Sequence, residues 1–200
     1  GAGRGQWYFE DQVPFRRRLQ FLKPHTQRFI GLDIDPIVLS NLTTTENRLI
    51  SGNRFPLEDA SVDVVIADWV FEHIDSPSDF IDEVNRVLKP GGYLFARTPH
   101  KNSYVSIFAR ILNNKHHVRV LKYVQPSRIN ADIFPTKFRM NTLREIGRLF
   151  PNYINYSYIF TPEPAYFFGN QAIFKVFSKI HKHSPSFFCG CIYVFLQKTD

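Results

Sequence analysis

The chain has 200 residues, of which 44% are hydrophobic: enough for one well-buried core and too few for two full domains. No stretch approaches the roughly 18 uninterrupted apolar residues of a membrane span, and the start lacks the charged-then-apolar order of a signal peptide, so a cytoplasmic protein with no membrane span is expected. The net charge of +7 gathers in Arg16 to Arg18, Lys115 to Lys122 and Lys179 to His183; it suits an anionic substrate or a membrane surface, and without the glycine-aromatic signature of an RNA-recognition module nucleic acid is not favoured.

In chain order, the first feature is GAGRG, with glycine at positions 1, 3 and 5. Glycine-rich turns that cradle a nucleotide follow a β-strand, and none is written in front of this one. With no initiator Met either, the chain is expected to begin inside a longer protein, short of its first strand. In GQWYFEDQVPFRRRLQFL, Pro14 sets a late helix start and leaves Trp7 and Tyr8 in a loop.

RFIGLD (Arg28 to Asp33) reads as a short buried strand ending in an acid, followed by a helix over DPIVLSNL with Asp35 as N-cap and Pro36 at its first position. SVDVVIAD (Ser61 to Asp68) repeats the form; its apolar run Val64 to Ala67 predicts a strand of a parallel sheet buried on both faces. From Ser76 to Leu88, apolar residues at helical spacing and the stop signal Lys89-Pro90-Gly91-Gly92 predict a helix, leading into the strand YLFART (Tyr93 to Thr98). This strand–helix alternation is an α/β fold with right-handed crossovers.

The second half is less regular. Residues 101–150 are expected to form a helical insertion covering the substrate side. Its Tyr104, Phe108, Arg110, Lys115, His116, His117, Arg119 and Lys122 suit a small-molecule acceptor with a negative group and an aromatic, sugar or lipid body. Thr142 to Glu145 has the form of a capping box. YINYSYIF and CIYVFLQ within 151–200 read as the last two strands, with Cys189 and Cys191 on one face of the last, reduced. No metal site is predicted: two cysteines beside His181 and His183 make a poor zinc set.

In an α/β sheet, ligands lie at the carboxyl ends of the strands, where a glycine turn admits a cofactor and an acid ending the next strand grips a ribose. Gly1, Gly3, Gly5 and Asp33 supply both parts; the other role open to Asp33 is a helix cap. Gln6 departs from the G-x-G-x-x-G of a dinucleotide fingerprint. An NAD-dependent oxidoreductase is therefore the second enzyme reading, and a non-catalytic binding protein on the same fold the third.

The ordered series GAGRG, FIGLDID, FPLEDASVDVVIADWVFEHI and FIDEVNRVLKPGGYLFARTPH resembles the class I S-adenosylmethionine-dependent methyltransferases, in particular the small-molecule, methyltransferase type 11-like members. The resemblance covers the first half of the chain; ADIFPTKFRMNT resembles the region after the fifth strand in some bacterial members. It implies one Rossmann-like domain over 1–200: a mostly parallel central sheet flanked by helices, with the last two strands as a C-terminal antiparallel hairpin at the sheet edge and 1–100 as the half that binds S-adenosylmethionine. Gly1, Gly3 and Gly5 would pass beneath the methionine part of the cofactor and Asp33 would accept from the ribose hydroxyls. Ile34 would pack on the adenine, with Asn53 and Arg54 of the SGNRF turn on its other side, and Asp68 and Trp69 would lie near the methyl donor. Glu72 and His73 resemble a recurrent Glu-His pair that organises the loop after the fourth strand. His100, at the end of RTPH, is the candidate general base for an oxygen or nitrogen nucleophile, against the alternative of a satisfied structural histidine; His73 and Tyr104 are weaker candidates. The Asp/Asn-Pro-Pro-aromatic motif of base methylation is absent, since the stretch reads Ala67-Asp68-Trp69-Val70.

Overall fold

The computed structural model describes residues 1–111, 135–164 and 170–199. The basic run Lys115 to Lys122, with the rest of residues 112–134 of the expected cover, lies outside the described residues. Two short helices open the chain, α1 (Trp7–Glu10) and α2 (Pro14–Gln20). Trp7 and Tyr8 are thus in a helical turn and not in a loop: Tyr8 packs its ring 4.6 Å from Phe21, and that contact orders the segment before Pro14.

Strands β1 (Ile30–Asp33) and β2 (Glu46–Leu49) pair in parallel as one sheet. The helix expected between them is only a 3-10 turn, Pro36–Ser40. Asp35 is its cap, accepting from Ile37 N–H at 2.9 Å. The turn stops because SNLTTT is poor in helix formers and its side chains bond to nearby backbone instead: Asn41 Oδ1 accepts from Thr43 N–H at 2.8 Å, and Asn47 Nδ2 donates to the Asn41 carbonyl at 2.7 Å.

The second sheet holds β3 (Val62–Asp68), β4 (Leu88–Pro99), β5 (Tyr153–Asn155), β6 (Tyr158–Phe160) and β7 (Cys191–Lys198). Helix α3 (Pro77–Val87) links β3 to β4, which are parallel. Arg86 straps the preceding loop to α3, bonding Glu83 at 2.7 Å, Asp59 at 2.6 Å and the Phe55 carbonyl at 2.9 Å. Among the described residues three further helices follow β4: α4 (Tyr104–Ile111), α5 (Leu143–Leu149) and α6 (Gln171–His183), with a last turn α7 (Ser186–Cys189). The Thr142 cap of the expected capping box is formed, with Glu145 N–H donating to Thr142 Oγ1 at 3.1 Å, while the Glu145 carboxylate accepts from Asn141 N–H, one residue before the cap, at 3.1 Å.

The terminal strands are antiparallel, as expected, but not a hairpin. β5 and β6 both run along β7, which returns only after α6 and α7. Cys189 ends α7 while Cys191 opens β7, so the two do not share a strand face; both are free and buried.

The core lies on one face of this sheet, where Leu94, Ala96, Val194 and Leu196 meet Phe71, Ile81, Val84, Ile146 and Phe150. Burial of β3 on both faces is corrected: Val64 is 42% and Ile66 49% exposed. Their register partners Tyr93 and Phe95 share that outer face, and it continues through Phe195 to Tyr158, whose rings lie 5.9 Å apart. Among the described residues no helix is packed on this side, and β3 pairs with β4 alone.

Candidate functional site

The glycine turn is placed by β1 and by one side chain that no sequence pattern singled out. Ala2 N–H donates to the Leu32 carbonyl at 2.9 Å, and Gly3 N–H to Asp33 Oδ2 at 2.8 Å. From the opposite side, buried Asn41 donates through Nδ2 to the carbonyls of Ala2 at 3.1 Å and Gly3 at 3.0 Å. A Cβ on Gly1 would meet Asp33 Oδ2 at 3.2 Å and Val70 Cγ2 at 3.8 Å. Gly1 therefore bridges the carboxyl ends of β1 and β3.

The three glycines have different reasons to be glycine. Gly3 sits at φ +51° with open space where a Cβ would point, whereas Gly5, at φ +68°, would drive a Cβ to 2.5 Å from Asn41 Oδ1 and 2.7 Å from Thr43 Cγ2. Gly5 serves the protein's own packing; Gly1 and Gly3 border the space at the strand ends. Asp33 is buried and takes one N–H on each oxygen, from Gly3 and from Asp35 at 3.1 Å. A carboxylate has about four acceptor positions, so each oxygen keeps one. The cap of the following turn is Asp35, which removes the alternative role for Asp33.

Asp68, on the last residue of β3, is held by a bidentate ion pair with Arg97 at 2.8 Å, its register partner on β4. Trp69 follows in the left-handed region at φ +54°, uncommon for a bulky residue, with the Arg97 guanidinium 5.1 Å from its ring centroid. Ile34 is 66% exposed, free to pack on a planar group. Asn53 and Arg54 lie farther round: the Asn53 amide is taken up by Asp79 of α3 at 2.6 Å, and Arg54 bridges back to Ser51.

Behind Asp68, Glu72 is buried and accepts from Thr98 Oγ1 at 2.8 Å, which in turn accepts from Asn141 Nδ2 at 2.6 Å. The Glu72 carbonyl accepts from Lys137 and Phe138 N–H at 2.6 and 3.2 Å, and His73 Nδ1 donates to the Pro135 carbonyl at 3.1 Å. The Glu-His pair thus ties the loop after β3 to residues 135–138. Burial raises the Glu72 carboxyl above its ordinary 4.5, although the Thr98 hydrogen bond pulls it down. The folded state then holds the proton more tightly than the unfolded chain, so Glu72's contribution to stability is complete below about pH 4.5 and is lost as pH rises through the raised value. Glu72→Gln should therefore flatten the fall in urea midpoint as pH rises above about 4.5. An unchanged pH slope would show that another group carries it.

His100 is buried, its ring 5.9 Å from Phe187. Nδ1 accepts from Asn102 N–H at 3.2 Å. In the neutral ring the proton is then on Nε2, and no lone pair is left to take another. Burial, with the nearby Lys101 charge, lowers its pKa, so the neutral form prevails. These contacts suit the structural alternative better than a general base.

No helix among the described residues is long and apolar enough to cross a membrane. A family model described as a methyltransferase domain matches residues 16–96, from α2 through Ala96 of β4. A probable S-adenosylmethionine-dependent methyltransferase of Mycolicibacterium smegmatis is 38% identical over 107 residues, covering 52% of this chain and 38% of its own. A malonyl-[acyl-carrier protein] O-methyltransferase of a Marinomonas species is 33% identical over 102 residues, covering 50% of this chain and 34% of its own. The chain thus spans little more than a third of the length of these curated relatives. In structure it is similar to the geranyl diphosphate C-methyltransferase of Streptomyces coelicolor, with TM-score 0.54 and 15% identity, covering 100% of this chain and 69% of the other; that likeness bears on the fold.

Proposed function

We propose that the chain is a class I S-adenosylmethionine-dependent methyltransferase, the reading its similarity over residues 16–96 supports, and that it carries methyl transfer from S-adenosylmethionine to a small-molecule acceptor. The observation that carries the reading is the junction of Gly3 N–H with Asp33 at 2.8 Å. It sets a glycine backbone against a carboxylate with acceptor positions to spare, at a strand end where α/β proteins bind ligands.

Asp33 would hold the ribose, Gly1 and Gly3 would border the methionine part, and Ile34 would cover the adenine, while Asp68 and Trp69 flank the reacting end. Asn53 would have to leave Asp79 to reach the adenine. When bound, the cofactor supplies a methyl group already activated by the sulfonium charge. The protein's own task is to bring an acceptor into line, exclude water and receive any proton the acceptor loses.

Calorimetric titration of the full-length protein is expected to show binding of S-adenosylmethionine and of its demethylated product. Binding of NAD with neither of these would overturn the reading in favour of the oxidoreductase. Cofactor binding without methylation of any acceptor would leave the non-catalytic binding protein.

A further inference from the structure

Resting on the methyl-transfer reading above, we propose that Tyr104 takes the proton from a hydroxyl-bearing acceptor and that His181 is the positioning residue that receives Tyr104's own. Three elements meet at this point. Tyr104 opens α4, five residues beyond Pro99 at the carboxyl end of β4. His181 lies in the last turn of α6. Pro162 follows β6, whose Phe160 pairs with Cys191 of β7, which pairs in turn with Pro99. All three therefore stand beyond the sheet end that carries Asp68 and Trp69.

The hydrogen bonds assign the protons. His181 Nδ1 lies 3.0 Å from the Pro162 carbonyl, and a carbonyl oxygen can only accept, so Nδ1 carries the hydrogen. In the neutral imidazole Nε2 is then a lone pair, and it faces the Tyr104 hydroxyl at 3.3 Å. Hydroxyl, imidazole and fixed acceptor stand in the order that activates a hydroxyl in nucleophilic sites. This is the reverse of His100, whose Nδ1 is the accepting nitrogen. His181 is buried and Tyr104 half-buried, so the tyrosine can meet an acceptor while the histidine stays shielded. Phe177 and Phe188, 6.1 and 5.9 Å from the Tyr104 ring, suit an acceptor with an aromatic body.

The step balances. The acceptor O–H gives its proton to the Tyr104 oxygen as the Tyr104 proton passes to His181 Nε2. The oxygen's electron pair forms the new C–O bond while the C–S bond of the sulfonium donor breaks, its electrons going to sulfur. The positive charge lost at sulfur reappears on the imidazolium, which donates to the Pro162 carbonyl and later loses its proton to water.

The first test needs no turnover. Imidazole 15N–1H correlation spectra should show His181 protonated at Nδ1, with the Nε2 resonance moving when Tyr104 is replaced by Phe; an Nε2-protonated ring overturns the proposal. The second compares catechol with thiophenol, which is ionised at neutral pH and needs no base. Tyr104→Phe is expected to lower kcat for catechol about 100-fold or more, with thiophenol turnover and S-adenosylmethionine affinity within about twofold. His181→Gln keeps an acceptor for the tyrosine but takes up no proton, and should lower kcat for catechol without raising KM. Equal losses for both acceptors, or none, would make the contact a packing clasp, as would a wild-type protein that binds S-adenosylmethionine yet methylates only thiophenol. Failure to bind S-adenosylmethionine would strike the methyl-transfer reading itself.

Discussion

Asp33→Ala is expected to weaken S-adenosylmethionine binding by about 1.5 to 3 kcal/mol, roughly 10- to 150-fold, because it removes charge-assisted hydrogen bonds to the ribose. The fold should survive. Asp33 also accepts from Gly3 N–H, so part of the loss comes from a glycine turn released on one side. Asp33→Asn separates the two terms: its remaining carbonyl oxygen can still accept from Gly3, while the charge is gone. Calorimetry on both variants, with circular dichroism to verify folding, reads the difference. Unchanged affinity in a folded Asp33→Ala protein would reduce Asp33 to a brace for the turn.

Gly5→Ala should destabilise the protein by about 2 to 5 kcal/mol, the sum of left-handed backbone strain and overpacking. The added methyl has nowhere to go, since Asn41 Oδ1 and Thr43 hold their places through bonds to each other and Asn41 also grips Ala2 and Gly3. Urea unfolding measures the loss. In the double variant with Asn41→Ala the clash with Asn41 is absent, so the two costs should be less than additive. Strict additivity would mean that the turn relaxes without pressing on Asn41.

Strands β1, β3 and β4 and helix α3 were legible in the sequence because their signals are local: apolar runs, helical spacing, a proline at the start and a Lys-Pro-Gly-Gly stop. Asp33 and Asp68 were legible for the same reason, as acids written at the ends of those runs. The caps at Thr142 and Asp35 needed only three or four residues to be read.

What only the tertiary structure decided are contacts between distant residues. Asn41 reaches back 39 positions to the Ala2 carbonyl, and His181 reaches back 77 to Tyr104. Nothing in a polar run such as SNLTTT distinguishes an asparagine that grips a glycine turn from one that faces water. The two histidines make the point most directly: His100 stands at a strand end and His181 within a basic helix end, yet the fold turns one nitrogen toward an N–H donor and the other toward a carbonyl. A one-dimensional pattern records residue type and spacing, whereas a lone pair's availability depends on which polar atom packing brings within about 3 Å of it.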